Sequence, residues 1–318
     1  MPALPLAIAL RALDAPVRRF RHYQAAVLAM ADYQSTLIKD ASRRRSSGLA
    51  VTDQDQLEEV FCLFPARSVH PPLTIIGGMG PVAGAHAFRQ ACTRFQDSRA
   101  VVLYQACSVP DRSTVILGER SPDTRLCHAM ALRLADAVRL AVELAPTASQ
   151  PARCIIACNT AHYFWRLVTN NLRRSTARSS KVQMISLVEC ALGALKLLSC
   201  KKTLLLATEG ARAGNVYSAL CLDAGIAFDE PSPTLSRLLM RAIYEGMKSF
   251  DERRAVELGN QFFEAILESG QDYDCVLAGC TELPLIIDLL RLRGSPAVAA
   301  FLARVKIVDP VEEALRHA

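Results

Sequence analysis

The sequence predicts an α/β protein with two similar lobes that face each other across a cleft. From Leu73 onward, short apolar runs alternate with amphipathic stretches, a pattern typical of parallel sheets covered by helices on both sides. The order of these runs looks duplicated, because the strands that begin at Thr74 and Thr203 open two comparable halves. In each half a strand about 80 residues further on ends in a cysteine, Cys158 or Cys280. Two lobes whose strands end at one cleft are the simplest arrangement that explains this repetition.

Seven strands are predicted, each a short run of apolar residues. The first lobe is placed at residues 73–186 and the second at residues 187–304, and the C-terminal segment 305–318 is expected to return to the first lobe. The clearest helix spans residues 124–144, and the apolar residues that share one face of it are Leu126, Met130, Leu134, Val138 and Val142. The predicted strands are Leu73–Ile76, Ala100–Ala106, Cys154–Ala157, Val182–Leu187, Thr203–Ala207, Asp274–Ala278 and Val305–Val308.

Residues 1–72 differ from the rest and are interpreted as an accessory, helical N-terminal extension. A helix is predicted within residues 16–40 and a second, shorter helix within residues 54–64. The apolar residues that would share one side of the first helix are Phe20, Tyr23, Val27 and Met30. A partly disordered arm, or a surface that binds a partner subunit, another protein or an anionic surface, are the alternatives. A chain that starts near Pro71 is expected to keep the cleft.

Composition restricts the class of protein. With 318 residues, 51% of them hydrophobic and 21% charged, the chain is typical of a globular protein with more than one core. The net charge of +6 comes from scattered arginines, so nucleic acid is not an expected partner. The 11 cysteines include no CxxC pair, which argues against a zinc site or a disulfide framework and favours a cytoplasmic location. No apolar run has the length of a membrane span, and residues 1–10 lack the features of a secretory signal.

The two cysteines that end strands share one local setting. Cys158 and Cys280 each follow an apolar run and precede polar residues and a helix-like segment. Backbone N–H groups and the helix dipole at such a position stabilise a thiolate, so the pKa of each thiol is expected below its free value of about 8.5. The same N–H groups suit a bound carboxylate. One thiol on each side of a substrate carbon would allow a proton to leave one face and another to reach the opposite face.

Either of these cysteines alone is better interpreted as a packing residue, because a free cysteine is commonly buried as a small hydrophobe. Their matched settings favour a shared chemical role. Other cysteines lie within apolar runs and are interpreted as packing residues, namely Cys107, Cys154, Cys190 and Cys275.

Seven motifs follow one another between residues 77 and 310. They are Gly77-Gly78-Met79-Gly80-Pro81, Val109-Pro110-Asp111-Arg112-Ser113, Cys158-Asn159-Thr160-Ala161-His162, Leu205-Leu206-Ala207-Thr208, Tyr244-Glu245-Gly246-Met247-Lys248, Gly279-Cys280-Thr281-Glu282-Leu283-Pro284-Leu285 and Val308-Asp309-Pro310. In this order they resemble the aspartate racemase branch of the aspartate/glutamate racemase superfamily. The resemblance covers about residues 73–318 and leaves out the extension. The two cysteine motifs are specific signals, whereas the glycine motif alone would be weak.

The resemblance implies a PLP-independent amino-acid racemase with two pseudo-symmetric, Rossmann-like lobes and an interlobe cleft. Cys158 and Cys280 match the two catalytic cysteines of the family. Arg112 matches an arginine that holds a substrate carboxylate, and Lys248 matches a lysine near the side-chain carboxylate. The other residues implied to contact the substrate are Met79, Asn159, Thr160, Ala161, Thr281 and Glu282. For His162, a supporting role and a direct role are both open.

The expected substrate is a small acidic amino acid, with aspartate ahead of glutamate. No cofactor or metal is expected, neither nucleic acid nor membrane is an expected partner, and a homodimer is expected. Three positions depart from the family pattern, because Val82, Gly84 and Ala211 replace polar residues expected near the cleft. They leave two alternatives open: an isomerase or decarboxylase of a related small dicarboxylate on the same fold, or a catalytically silent binding protein.

Overall fold

The structure, a computed structural model, describes residues 15–47, 58–119, 121–174 and 181–318. Within these ranges the chain forms two sheets, one of six strands and one of four, with helices packed against both. The predicted α/β class, with two lobes and parallel sheets, is therefore confirmed. No helix of the described ranges is long and apolar enough to cross a membrane.

The first sheet has the strand order β1-β2-β4-β3-β5-β6. Its strands are β1 (Val17–Phe20), β2 (Glu59–Leu63), β3 (Leu73–Gly77), β4 (Val101–Gln105), β5 (Arg153–Ile156) and β6 (Gln183–Ile185). Neighbouring strands are parallel except for β2 and β4, which pair antiparallel. The central strands β3 and β4 are buried along their whole length, as expected for a sheet with helices on both faces.

Six helices of the described residues belong to this part of the chain. They are α1 (Tyr23–Ser46), α2 (Pro81–Phe95), α3 (Arg112–Gly118), α4 (Arg125–Leu144), α5 (Trp165–Arg173) and α6 (Leu187–Leu198). The predicted helix at residues 124–144 is α4, capped by the Thr124 hydroxyl, which accepts the amide hydrogen of Cys127 at 3.3 Å. Four of the five residues predicted for its inner face are buried, whereas Leu126 in the first turn is 47% exposed.

The second sheet is fully parallel, with the order β10-β9-β7-β8. Its strands are β7 (Thr203–Ala207), β8 (Phe228–Asp229), β9 (Cys275–Gly279) and β10 (Lys306–Val308). The helices of this part are α7 (Glu209–Ala213), α8 (Ser218–Asp223), α9 (Pro233–Arg241), α10 (Glu252–Glu268), α11 (Leu283–Arg293), α12 (Pro296–Arg304) and α13 (Pro310–His317), and a π-helical turn, Ala242–Met247, follows α9. The central strands β7 and β9 are buried throughout.

The sequence motifs that follow β3, β5, β7 and β9 begin at the carboxyl ends of these central strands. In the first sheet, β3 lies between β4 and β5, so the segments after Gly77 and Ile156 leave the sheet side by side. In the second sheet, β7 and β9 pair up to the level of Ala207 and Gly279, and Thr208 and Cys280 follow at once. Ligand sites of parallel α/β sheets form at such strand ends.

The N-terminal extension is helical, as predicted, but it also adds two strands to the first sheet. The first helix begins at Tyr23 because residues 17–20 form β1 and pair with β2. Residues 59–63, predicted within a short helix, form β2 instead, and residues 54–57 lie outside the described residues. Pairing with β4 over five residues outweighs the local helical pattern. Of the residues predicted for the apolar side of this helix, Tyr23, Val27 and Met30 do face the core, with Met30 fully buried, whereas Phe20 lies in β1.

The C-terminal segment differs from the expectation that residues 305–318 return to the first lobe. Strand β10 pairs in parallel with β9 and completes the second sheet, which buries Val308. Helix α13 then packs mainly on α6 and also contacts α2 of the first lobe. The predicted limits of the lobes, residues 73–186 and 187–304, stay a prediction.

Candidate active site

A narrow cavity lies between the two sets of strand ends. The first sheet and its connections supply one wall, and the second sheet with the π-helical turn supplies the other. The lining residues are Met79, Asp111, Arg112, Ser113, Cys158, Asn159, Thr160, Thr208, Tyr244, Lys248, Cys280, Thr281 and Glu282. The structure therefore brings together every site residue predicted from the sequence except Ala161.

The two cysteines reach this cavity from opposite lobes. Cys158 follows β5 and precedes a 3₁₀ turn, Thr160–Phe164, and Cys280 follows β9 and precedes α11. Both are almost completely buried, with exposed fractions of 6% and 4%. The sequence predicted this juxtaposition from their matched settings alone.

The Cys280 thiol is held in its protonated form. Its Sγ donates a hydrogen bond to Glu282 Oε2 at 2.9 Å. Burial, the negative charge of Glu282 and this hydrogen bond raise the pKa of Cys280 well above its usual value, and Lys248 opposes them only in part. The prediction that the strand-to-helix position lowers the pKa of both thiols is therefore wrong for Cys280, because an adjacent buried carboxylate outweighs the helix terminus.

Glu282 is enclosed on all sides. Its Oε2 also accepts the Thr281 hydroxyl at 3.2 Å. Its Oε1 is buried and has no hydrogen-bond partner among the described residues. Gly80 lies so close that any Cβ there would collide with Oε1, so the glycine at this position is a requirement of space. The carboxylate thus has one oxygen on the Cys280 thiol and a second that is ready for another donor.

Two buried cations converge on one carbonyl oxygen. Arg112 Nη2 and Lys248 Nζ donate to the Met79 carbonyl oxygen at 2.6 and 3.0 Å. The exposed fractions of Arg112 and Lys248 are 4% and 5%. Because a cation prefers a carboxylate to a neutral carbonyl, this pair forms a strong anion-binding position inside the cavity.

Asp111 and Tyr244 border the same two cations. The Tyr244 hydroxyl donates to Asp111 Oδ2 at 2.8 Å, and its ring centroid lies 4.7 Å from Lys248 Nζ. Burial raises the pKa of the Asp111 carboxyl, but the positive charge of Arg112 and the amide hydrogen bond from Thr114 hold it below its usual value. Asp111 is therefore ionised at neutral pH and compensates part of the positive charge.

The segment after Cys158 presents polar groups to the cavity. Thr160 Oγ1 lies 2.9 Å from Thr208 Oγ1 of the other lobe. The Asn159 Oδ1 accepts the Tyr217 hydroxyl, while the buried Asn159 Nδ2 has no partner within the described part of the chain. Ala161 differs from the expectation, because it does not line the cavity and its amide donates to the Cys158 carbonyl at 3.2 Å.

His162 supports Cys158 and has no direct contact with the cavity. Its Nε2 accepts the Leu187 amide hydrogen at 3.0 Å, so Nδ1 carries the proton and donates to the Cys158 carbonyl oxygen at 3.0 Å. Burial lowers the pKa of His162 to about 4, and its ring stacks on Trp165. The imidazole is therefore neutral at physiological pH and fixes the backbone that carries the thiol.

Four lining residues were not selected from the sequence. They are Asp111, Ser113, Thr208 and Tyr244. Each belongs to one of the quoted motifs, so the signal was present, but polar residues of these types have many roles at a surface. Their common location becomes evident only when the two lobes are brought together.

The three departures from the family pattern lie away from the cavity. Val82 and Ala211 are buried within the hydrophobic cores. Gly84 faces β3, where a Cβ would lie 3.0 Å from the Gly77 Cα and would collide with the side chain of Gln105. None of the three lines the cavity, so the expectation that they remove polar groups from it is not supported.

The polar groups of the cavity fit carboxylates better than a metal ion. Within residues 15–47, 58–119, 121–174 and 181–318, no group of three or more His, Cys, Asp or Glu side chains is arranged to hold a metal. The cavity combines two thiols and two cations with the carboxylates of Asp111 and Glu282 and with several hydroxyl and amide groups. Such a set can bind an anion and move a proton.

Two α/β lobes with one cysteine from each in a shared cleft define the class of protein. The chain belongs to the Asp/Glu/hydantoin racemase family, whose model matches residues 76–318. The resemblance found in the sequence motifs is thereby confirmed, and the whole N-terminal extension, residues 1–72, lies outside the matched range.

Solved structures from this superfamily share the fold. An aspartate racemase of Picrophilus torridus matches with a TM-score of 0.55 and 21% identity over 76% of this chain and 90% of its own. An aspartate racemase homologue of Pyrococcus horikoshii matches with a TM-score of 0.52 and 18% identity over 78% of this chain and 97% of its own. A glutamate racemase isoform of Bacillus anthracis matches with a TM-score of 0.50 and 16% identity over 78% of this chain and 80% of its own. At such identities the likeness establishes the fold.

Proposed function

We propose that this protein racemises a small acidic amino acid, aspartate in preference to glutamate, without PLP and with two cysteines as acid and base. The observation that carries the proposal is the cavity itself, in which cysteines from opposite lobes accompany two buried cations. A thiol on each side of a bound carbon suits inversion of configuration, and the two cations, which converge on one position, suit a substrate carboxylate there.

The cations and the segment after Cys158 would hold the substrate. Arg112 and Lys248 now donate to the Met79 carbonyl, and a substrate carboxylate would be the stronger acceptor for both. The amides of Asn159 and Thr160, at the amino-terminal end of a 3₁₀ turn, suit the α-carboxylate. Asn159 Nδ2, buried without a partner in the described residues, adds a further donor on the same side.

Proton transfer would proceed from one thiol to the other through the substrate. In one direction the Cys158 thiolate takes the α-proton and becomes a thiol, while the Cys280 thiol gives its proton to the opposite face and becomes a thiolate. The raised pKa of Cys280 supports its role as the proton donor of the free enzyme. In the reverse direction the two roles are exchanged.

Glu282 would serve the direction in which Cys280 acts as the base. Its Oε2 already accepts the hydrogen bond of the Cys280 thiol. Transfer of that proton to the carboxylate would leave a thiolate next to a neutral acid, so two negative charges would not stand side by side. The second oxygen, Oε1, is buried and has no hydrogen-bond partner among the described residues.

Stabilisation of the carbanion would come from charge and from exclusion of water. The α-proton of an amino acid is far less acidic than a thiol, so the site must stabilise the negative charge that develops on the carboxylate and α-carbon. Buried cations and backbone donors are most effective in a cavity that is closed to solvent. The lobes meet closely around the cavity, for example where Gly210 packs directly on Ser113.

Aspartate is placed ahead of glutamate because the sequence motifs resemble the aspartate racemase branch of the superfamily. A panel of single enantiomers in deuterated water tests the proposal, with the protein dialysed to remove any PLP. We expect the α-proton signal of both aspartate enantiomers to disappear, with glutamate slower. A protein that exchanges the α-proton of no amino acid, or does so only after PLP is added, would contradict it. Activity on another dicarboxylate would favour the isomerase or decarboxylase alternative.

A further inference from the structure

Helix α1 of the N-terminal extension reaches from the first lobe to the second. Near its carboxyl end, Arg45 donates to the Ser249 carbonyl oxygen and, at 3.2 Å, to the Phe250 carbonyl oxygen. Its Nε lies 3.7 Å from Asp251 Oδ2. One guanidinium therefore contacts three consecutive residues, and these residues come directly after Lys248 in the chain.

The middle of the same helix holds the start of α2. Gln34 Nε2 donates to the Val82 carbonyl oxygen at 3.1 Å, and Arg89 Nη1 donates to Gln34 Oε1 at 3.2 Å. Val82 is the second residue of α2, and Met79 lies three residues before it. Helix α1 thus contacts the chain on both sides of the hydrogen bond between Lys248 Nζ and the Met79 carbonyl oxygen.

The segment that Arg45 contacts has an unusual backbone. Phe250 has a φ of 57°, in the left-handed region that favours glycine, and its side chain is buried. Such a conformation persists only where surrounding contacts hold it. At this connection between the π-helical turn and α10, the Phe250 and Asp251 amides donate to the Met247 and Gly246 carbonyl oxygens at 3.1 and 2.8 Å. The two carbonyl hydrogen bonds from Arg45 add to these contacts and are the ones that come from the N-terminal extension.

We propose that helix α1 braces the two lobes across the cleft and that Arg45 is a positioning residue for Lys248. The inference rests on the proposed function for the role of Lys248, but helix α1, which makes these contacts, lies outside the range that the family model matches. By fixing the backbone of residues 249–251, Arg45 sets the depth at which the Lys248 ammonium enters the cavity. The brace thereby tunes affinity for a substrate with a side-chain carboxylate.

Arg45→Ala tests the proposal, with Arg43→Ala as the matched control. Arg43 lies on the same turn of α1 but is exposed and pairs with Asp40 of its own helix. We expect Arg45→Ala to raise the KM for aspartate by about tenfold with kcat changed by less than about twofold, because the ammonium is misplaced while the thiols stay in position. Arg45→Lys retains one charged donor, so its KM for aspartate should lie between that of the wild type and that of Arg45→Ala. Arg43→Ala should behave as the wild type.

Hydrogen exchange gives a readout that is independent of activity. The peptide that covers residues 242–251 should exchange faster in Arg45→Ala than in the wild type and in Arg43→Ala, with the sheets unchanged. Unaltered exchange of this peptide, or faster exchange throughout both lobes, would overturn the proposed brace. A wild-type protein that is inactive on every amino acid would contradict the proposed function, and the exchange experiment would still decide on the brace.

Discussion

Glu282 is the residue on which the asymmetry between the two thiols depends. Because its negative charge and hydrogen bond raise the pKa of Cys280, Glu282→Gln should lower that pKa while keeping the size of the side chain. One enantiomer requires the Cys280 thiolate as its base, and the midpoint of its pH–exchange profile should move to lower pH in this variant. Glu245→Gln, which removes a half-exposed carboxylate that lies outside the cavity, is the control. A midpoint that stays in place or rises would show that Glu282 does not control the thiol.

His162 makes a second prediction at the scale of a single residue. Burial lowers its pKa to about 4, below the usual value of about 6.5, so the unfolded chain binds a proton more readily than the folded one. Its contribution to stability is complete above pH 6.5 and is lost as the pH falls toward 4, at up to about 1.4 kcal/mol per pH unit. His162→Gln should flatten this part of the pH dependence in urea unfolding. A wild-type slope in the variant would contradict the neutral, buried imidazole.

The sequence identified the two cysteines from their matched local settings, whereas Arg112 and Lys248 were identified only because their motifs resemble those of the family. It could not identify the effect of Glu282 on Cys280, since the pKa of a thiol depends on burial and on the direction of a neighbouring carboxylate. For the same reason the supporting role of His162 was left open, because its two partners are the Cys158 carbonyl and a Leu187 amide distant in sequence.

At the scale of secondary-structure elements, β2 is the case in which the local residue pattern predicted the wrong structure, a helix in place of a strand. Residues 59–63 are compatible with a helix in isolation, and their pairing with β4 depends on a segment about 40 residues further on. The strands β3, β5, β7 and β9 were predictable because a short apolar run before a polar motif leaves few alternatives. The helix at residues 124–144 was predictable because its apolar face persists over five turns.

Truncation of Phe61 tests how much β2 contributes to the stability of the hydrophobic core. The Phe61 side chain is fully buried and packs on Tyr33 of α1 at a ring separation of 5.0 Å and on Phe88 of α2 at 6.5 Å. Phe61→Ala should lower the free energy of unfolding by about 3–5 kcal/mol, as for other large buried aromatic residues. Leu28→Ala, at a position of α1 that is 66% exposed, should change it by less than about 0.5 kcal/mol. Similar values for the two variants would mean that β2 is peripheral.

For the whole molecule, the structure reverses the expectation that the extension is separable. Its strands extend the first sheet, and its helix supplies buried residues to a core cluster that runs through both lobes. A chain that starts at Pro71 would expose the edge of β4 and the apolar surface beneath α1. We expect it to be insoluble, or to melt far below the full-length protein in thermal denaturation. A truncated chain with unchanged melting temperature and turnover would restore the prediction made from the sequence.

The central claim is that Cys158 and Cys280 act as a pair, and exchange of the α-proton in the two alanine variants tests it most directly. Cys158→Ala and Cys280→Ala should both lose racemisation of aspartate, because each direction needs an acid and a base. Each variant should retain exchange of one enantiomer only, and the two should prefer opposite enantiomers. Cys190→Ala, which changes a cysteine packed against the core, should racemise as the wild type does. Racemisation by Cys280→Ala at the wild-type rate would contradict the paired-thiol account.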